Sequence, residues 1–395
     1  MNLSGNIRKL YAFSFLKMTL FPMAVITLFW KDQIGLSLTE ILLLQGLFSL
    51  ATLLMEYPSG YLSDRLGYRF SLSLASLIGI AGWALYTVAG TFGEVLLAEI
   101  LLGFSFAFIS GSDSALLYES LRQSGQEEDY ARYDGRMSGY AQIGEAAGAV
   151  FAGLMYATAP LLPFFVQIGV WLLALIVSRS LVEVPAEPSP APQSHLVEAW
   201  AIGRHALVES PHLRYTILLT TLLGLASFFP VWLIQPTMQQ DGVPLAWFGP
   251  IWAVANLTVA LFSLLSQRAF FHLGERGMVM LFLVLVTAGY AGLGLVSAWW
   301  GFVFYFLLTA MRGLQGPRMR QHLQAASKRS NRASILSLKS LVFRLLFVCS
   351  GPLVGWSADT LGLHRTFLLL ASVFFLCLPL LAWRFLHTLP PAKNE

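Results

Sequence analysis

The sequence predicts an all-α membrane protein with about twelve transmembrane helices in two pseudo-symmetric six-helix halves. Three observations lead there. Hydrophobic residues fill 56% of the 395 positions and charged residues only 12%, about half the charge a water-soluble surface carries. So much apolar side chain cannot be hidden inside a soluble fold of this size, and the surplus faces lipid. The apolar residues fall into runs long enough to cross a bilayer core of roughly 30 Å, for which about 20 helical residues suffice. One hydrophilic stretch, Val182 to His212, divides these runs into equal sets.

In chain order the first half holds Leu10–Trp30, Thr39–Leu62, Ser71–Ala89, Gly93–Leu117, Met137–Ala157 and Leu161–Leu181. The second half holds Leu213–Gln235, Leu245–Gln267, Met278–Ser297, Trp299–Met319, Ala333–Trp356 and Thr366–Leu386. The first run is too long for a signal-peptide core and lacks a small-residue cleavage site after it, so it reads as a membrane helix. Turns as short as Ala159-Pro160 make their flanking helices antiparallel neighbours. The expected bodies are residues 1–181, a linker over 182–212, and residues 213–395. The linker opens with VPAEPSPAPQS, whose prolines favour an extended chain. HLVEAWAIGRHALVES follows, with the helical spacing of an interfacial helix.

Orientation follows from the basic residues. An N-terminus in the cytoplasm leaves only Lys31 and Arg365 outside, with Lys17, Arg312, Lys339 and Arg344 within spans and every other Lys and Arg inside. The expected location is the inner (cytoplasmic) membrane, multi-pass, with both termini in the cytoplasm. A weak repeat supports duplication: Arg65–Arg69 reads RLGYR after the second span, and His272–Arg276 reads HLGER after the eighth.

The string GYLSDRLGYR, Gly60 to Arg69, carries the most specific signal. Gly60 permits close backbone approach, Gly67 a tight turn, and Asp64 can accept from a helix N-terminus or a base. Arg65 and Arg69 supply fork donors. The string resembles the signature of the major facilitator superfamily, G-x-L-[AS]-D-R-x-G-[RK]-[RK], with Tyr68 standing where a base is usual. The resemblance implies the twelve-helix major facilitator fold and a transporter, in which this loop latches the two halves and Glu119 joins its network. It also implies that the second and eleventh helices meet, so that Glu56 would bridge to Lys339 or Arg344 and open and close with transport.

A second run, Gly144, Gly148, Ala149, Ala152 and Gly153, resembles the antiporter motif of the same family, and Gly351-Pro352 with Gly355 is a cleaner copy in the eleventh span. Close helix packing and a leak-controlling seam both account for such residues. Ionisable residues inside spans are costly and therefore informative. Glu145, Asp113 and Glu99 are the candidate proton-coupling carboxyls, with Lys17 a possible partner of Glu145 at similar depth. Where the family often has R-x-x-x-G on the fourth helix, this chain reads Glu99-Ile-Leu-Leu-Gly103. Lys17 and Arg312, with the aromatic residues Phe13, Phe21, Phe228 and Trp232, are candidates for the substrate cavity, since the first and seventh helices line it in the family.

The expected function is proton-coupled export of a small organic compound by alternating access, resembling the bacterial drug–proton antiporters. A siderophore or other anionic metabolite, exported or taken up, is the alternative, and a non-transporting membrane sensor a distant third. No nucleotide-binding loop, metal-spaced His/Cys cluster or nucleophile elbow is present, so no enzyme activity, cofactor, metal or nucleic-acid partner is expected. Cys349 and Cys377 lie in apolar runs and suggest no disulfide framework. The expected partners are the cargo, the proton and the lipid bilayer, with the chain acting as a monomer.

Overall fold

A computed structural model describes residues 4–184, 202–326 and 332–389. Among these residues every regular element is helical. The chain divides into two compact units, Met1–Ser189 with Pro244–Ala253, and Pro190–Val243 with Val254–Glu395.

In the first unit, α1 (Ser4–Met18) gives way to a 3-10 turn at Phe21–Ala24, and Ile26–Gln33 continues at a bend of 47°. Then come α2 (Leu38–Leu66), α3 (Tyr68–Tyr86), α4 (Phe92–Ile109), α5 (Ser112–Gln123), α6 (Tyr130–Val150), α7 (Ala152–Thr158) and α8 (Leu162–Ser180). A capping box starts α2: the Ser37 hydroxyl accepts from the Glu40 amide at 3.2 Å, and the Glu40 carboxylate accepts from the Ser37 amide at 2.9 Å. Asn6 ties α1 to the end of the unit, exchanging bonds of 2.9 Å with both backbone groups of Val182.

Small residues set the spacing between α1 and α6. A Cβ at Gly144 would overlap the Phe15 carbonyl oxygen, and one at Gly148 would press on the Leu20 amide. Pro244–Ala253 joins this unit through two similar contacts: Gly153 lies against the Leu245 carbonyl, and Gly249 against that of Ala149.

The second unit contains α9 (Pro211–Gln240), most of α10 (Phe248–Leu295), α11 (Tyr305–Ala325), α12 (Arg332–Leu361) and α13 (Leu363–His387). Two spans run together in α10, separated only at Gly274, whose φ of 64° and ψ of −175° are non-helical. Gly67 (φ 97°) and Gly274 (φ 64°) occupy the same place in RLGYR and HLGER, so the repeat read in sequence marks a shared turn geometry. His364 at the start of α13 meets the Leu293 carbonyl through Nδ1 and the Asp241 carboxylate through Nε2, each at 2.8 Å.

By length and hydropathy, eight described helices can cross a membrane, or nine with the bent first pair. One of the eight, Leu245–Leu295, is 51 residues long and supplies two crossings across its break at Gly274. The fifth and tenth runs read in sequence correspond to α6 with α7 and to α11, which are helical but more polar. Each span read from the sequence thus falls mainly on helix. The proline-rich part of the linker lies outside the described residues. Of the expected interfacial helix, Ile202–Glu209 is described and helical, and Ile202 and Ala206 pack on Leu213, Ile217, Leu323 and Ile335.

Candidate functional site

The fourth span is broken inside its apolar run. The helix stops at Ile109, Gly111 takes φ 86°, and α5 restarts at Ser112. A break at membrane depth frees backbone groups that lipid cannot satisfy. Here the buried Ser59 hydroxyl donates to the Ala107 carbonyl at 3.0 Å, and the Ser63 and Ser112 hydroxyls lie 2.9 Å apart. The first span breaks too, and its freed Phe21 amide donates to the Gln167 side chain at 2.9 Å.

These two breaks place opposite helix ends together. Lys17 stands in the last turn of α1 and Asp113 in the first turn of α5. Their side chains form an ion pair, with Asp113 7% and Lys17 16% exposed. Asp113 also accepts from the Ser114 amide at 2.7 Å. Each charge has the sign that its helix end favours, so the dipoles and the pair reinforce one another. The structure therefore gives Lys17 an ion-pair partner in Asp113, a second carboxyl besides Glu145, which the sequence offers as a possible partner. Glu145 is half-buried on α6, in the glycine run that packs on α1.

Glu99 has a different setting. It is buried on α4 and takes hydrogen bonds from the Tyr86 hydroxyl and from the Gln45 amide, the latter at 3.0 Å. Those partners are neutral, so this carboxyl links α2, α3 and α4 without a counter-charge among the bonds that hold it.

In the latch string, Tyr68 takes up the position of the missing base by donating to Asp64 at 3.4 Å. Arg65 lies over the Tyr61 ring at 4.6 Å. The Glu183 carboxylate, from beyond α8, accepts from the Tyr68 and Arg69 amides at 2.8 Å each and so caps α3. A Cβ at Gly60 would meet nothing within 4 Å, so the close approach expected there is absent among the described residues. Glu119 pairs with Arg122 at 2.9 Å, and Glu56 is exposed on α2. In the second unit's copy of the string, Glu275 replaces the tyrosine and accepts from Arg318 and His322 of α11, each at 2.9 Å.

The second unit holds a polar cavity of about 470 Å³ between α9, α10, α11 and α12. Arg312, Arg320 and Lys339 line it, and Lys339 also lies 5.6 Å from the Phe343 ring centre. In the sequence, Lys339 stands with Glu56 as a gate residue, and neither Arg320 nor Gln315 stands out. Their signal was present as a polar stripe at helical spacing (Arg312, Gln315, Gly316, Arg320) on a membrane helix. Arg344 is half-buried five residues beyond Lys339 on α12.

Of the aromatic candidates, Phe13 is fully buried inside the first unit and Trp232 is 5% exposed in the second. Phe21 is half-buried at the α1 break. Phe228 packs edge-on against Phe343, Phe347 and Trp232.

Residues 10–319 match the family model described as Major Facilitator Superfamily. An uncharacterized MFS-type transporter of Bacillus subtilis (strain 168), YxaM, is 25% identical over 98% of this chain and 96% of its own length. Among solved structures, the nucleoside transporter NupG superposes with a TM-score of 0.80 at 14% identity, covering 98% of this chain and 99% of its own. A bacterial homolog of the human lysosomal transporter Spinster, inward-facing and unoccupied, gives 0.72 at 16% identity, with 99% and 98% covered.

Proposed function

The chain belongs to the Major Facilitator Superfamily and is a secondary transporter of the twelve-helix fold, and we propose that it exchanges protons for a small organic compound by alternating access. The observation that carries this reading is the Lys17–Asp113 pair, built where two broken membrane helices present opposite ends. A proton on Asp113 cancels its charge, leaves the Lys17 ammonium without its counter-ion, and so disfavours the conformation that holds the pair. That is a differential stability between two states, which is what coupling requires. Glu99 and Glu145 are the further carboxyls whose protonation this cycle can use. Asp64, Arg65 and Arg69 act at the latch, with the chain a monomer in the inner membrane and both termini in the cytoplasm.

The direction is export. It is supported by the likeness of the run Gly144 to Gly153 to the antiporter motif. Inside-out vesicles from cells expressing the chain test this. With an acid lumen imposed, adding a transported compound should release lumenal protons, and control vesicles should show no such release. If a compound is carried and the lumenal pH does not move, proton coupling is wrong.

A further inference from the structure

We infer that the cavity of the second unit is an anion site, and that the transported compound is a small organic anion bearing a hydrogen-bond donor, such as a hydroxycarboxylate or a sugar phosphate. The inference rests on the transporter reading above and does not depend on its direction or its coupling ion.

Three positive side chains face one space of about 470 Å³, and among the described residues no Asp or Glu lines it. Among the described residues none of the three has a carboxylate within ion-pair distance. Like charges gathered in a membrane-embedded body are costly, and an anionic guest offsets that cost while collecting charge-assisted hydrogen bonds. Arg318, two residues before Arg320, shows the contrast, because it is neutralised by Glu275.

Gln315 is a second, independent observation. It lines the same cavity, is 8% exposed, and its Oε1 has no hydrogen-bond partner. A buried amide oxygen left unpaired costs about 1–3 kcal/mol unless something donates to it. Pro317 adds an acceptor nearby, since it has no N–H and leaves the Gly313 carbonyl without its regular helical donor. The site therefore offers positive forks to an anionic group and acceptors to an O–H or N–H on the same molecule. The space suits a compact organic ligand.

The test uses the purified full-length chain in an uncharged detergent at constant ionic strength. Thermal unfolding is followed with citrate, glycerate and glucose 6-phosphate, and with the uncharged glycerol and glucose. At least one anion should raise the melting temperature saturably, and glycerol and glucose should not. Arg312→Gln and Lys339→Gln should each weaken that anion's apparent affinity by about tenfold to a hundredfold, the loss of one charged hydrogen-bond partner. Two variants on different helices guard against one that fails to fold. The inference is overturned if none of the three anions stabilises the protein, if glycerol or glucose stabilises it equally, or if the effect survives both substitutions. Stabilisation by phosphatidylglycerol alone would identify a lipid-headgroup site and overturn the substrate assignment. Anion binding without proton flux would sink the coupling proposal only; proton flux driven by a non-anionic cargo would sink this inference only.

Discussion

Replacing Asp113 with Asn keeps the side chain's shape and its bond to the Ser114 amide but removes the charge opposite Lys17. Both side chains are mostly buried, at 7% and 16% exposed, so the ammonium cannot simply turn to water. Breaking a buried pair from one side costs about 3–5 kcal/mol. In a body of 150–250 residues each kcal/mol shifts the melting temperature by about 2–4 °C, so Asp113→Asn should lower it by on the order of 10 °C. Lys17→Met alone should cost a similar amount, through the stranded carboxylate. The double variant Lys17→Met/Asp113→Asn strands neither charge and should recover most of the loss, a coupling of about 2 kcal/mol or more. The assay is the apparent melting temperature of purified protein at a fixed scan rate, because unfolding of a membrane protein is rarely reversible. Single variants within about 1 °C of wild type, or losses that merely add in the double, would show that the two charges are not energetically coupled.

Gly144→Ala forces a methyl group onto the Phe15 carbonyl and should destabilise the first unit by about 1–3 kcal/mol, seen as a lower melting temperature. Gly316→Ala is the matched control: a Cβ there meets nothing within 4 Å, and the melting temperature should not fall. Glu183→Ala removes the carboxylate that caps α3 and should cost about 1 kcal/mol. Its signature is faster hydrogen exchange at the Tyr68 and Arg69 amides, with exchange in α9 unchanged.

The spans were legible because lipid imposes one rule on every crossing, a run of apolar residues of fixed length. The breaks within them were not. Phe108-Ile-Ser-Gly-Ser-Asp113 carries a turn signal, but it lies inside a run that reads as one continuous span. Thr19 and Pro22 likewise mark the end of α1 only once the 47° bend is seen. The pairing of Lys17 with Asp113 joins residues 96 positions apart. Depth alone could not choose between Asp113 and Glu145 for it. Arg312 and Lys339 were both visible as costly charges, yet their shared cavity with Arg320 depends on how α11 and α12 pack. Glu183 gave no signal, since a carboxylate after a helix does not announce which N-terminus it will cap.

In the proposed cycle, carrying the cargo moves protons through Asp113. The most direct measurement reconstitutes the purified chain in liposomes containing a pH-sensitive dye and records lumenal pH as candidate compounds are added. Compound-dependent proton movement by wild type, lost in Asp113→Asn, is the result expected of this cycle. Transport of a compound with no change in lumenal pH, or unaltered proton movement in Asp113→Asn, would contradict it.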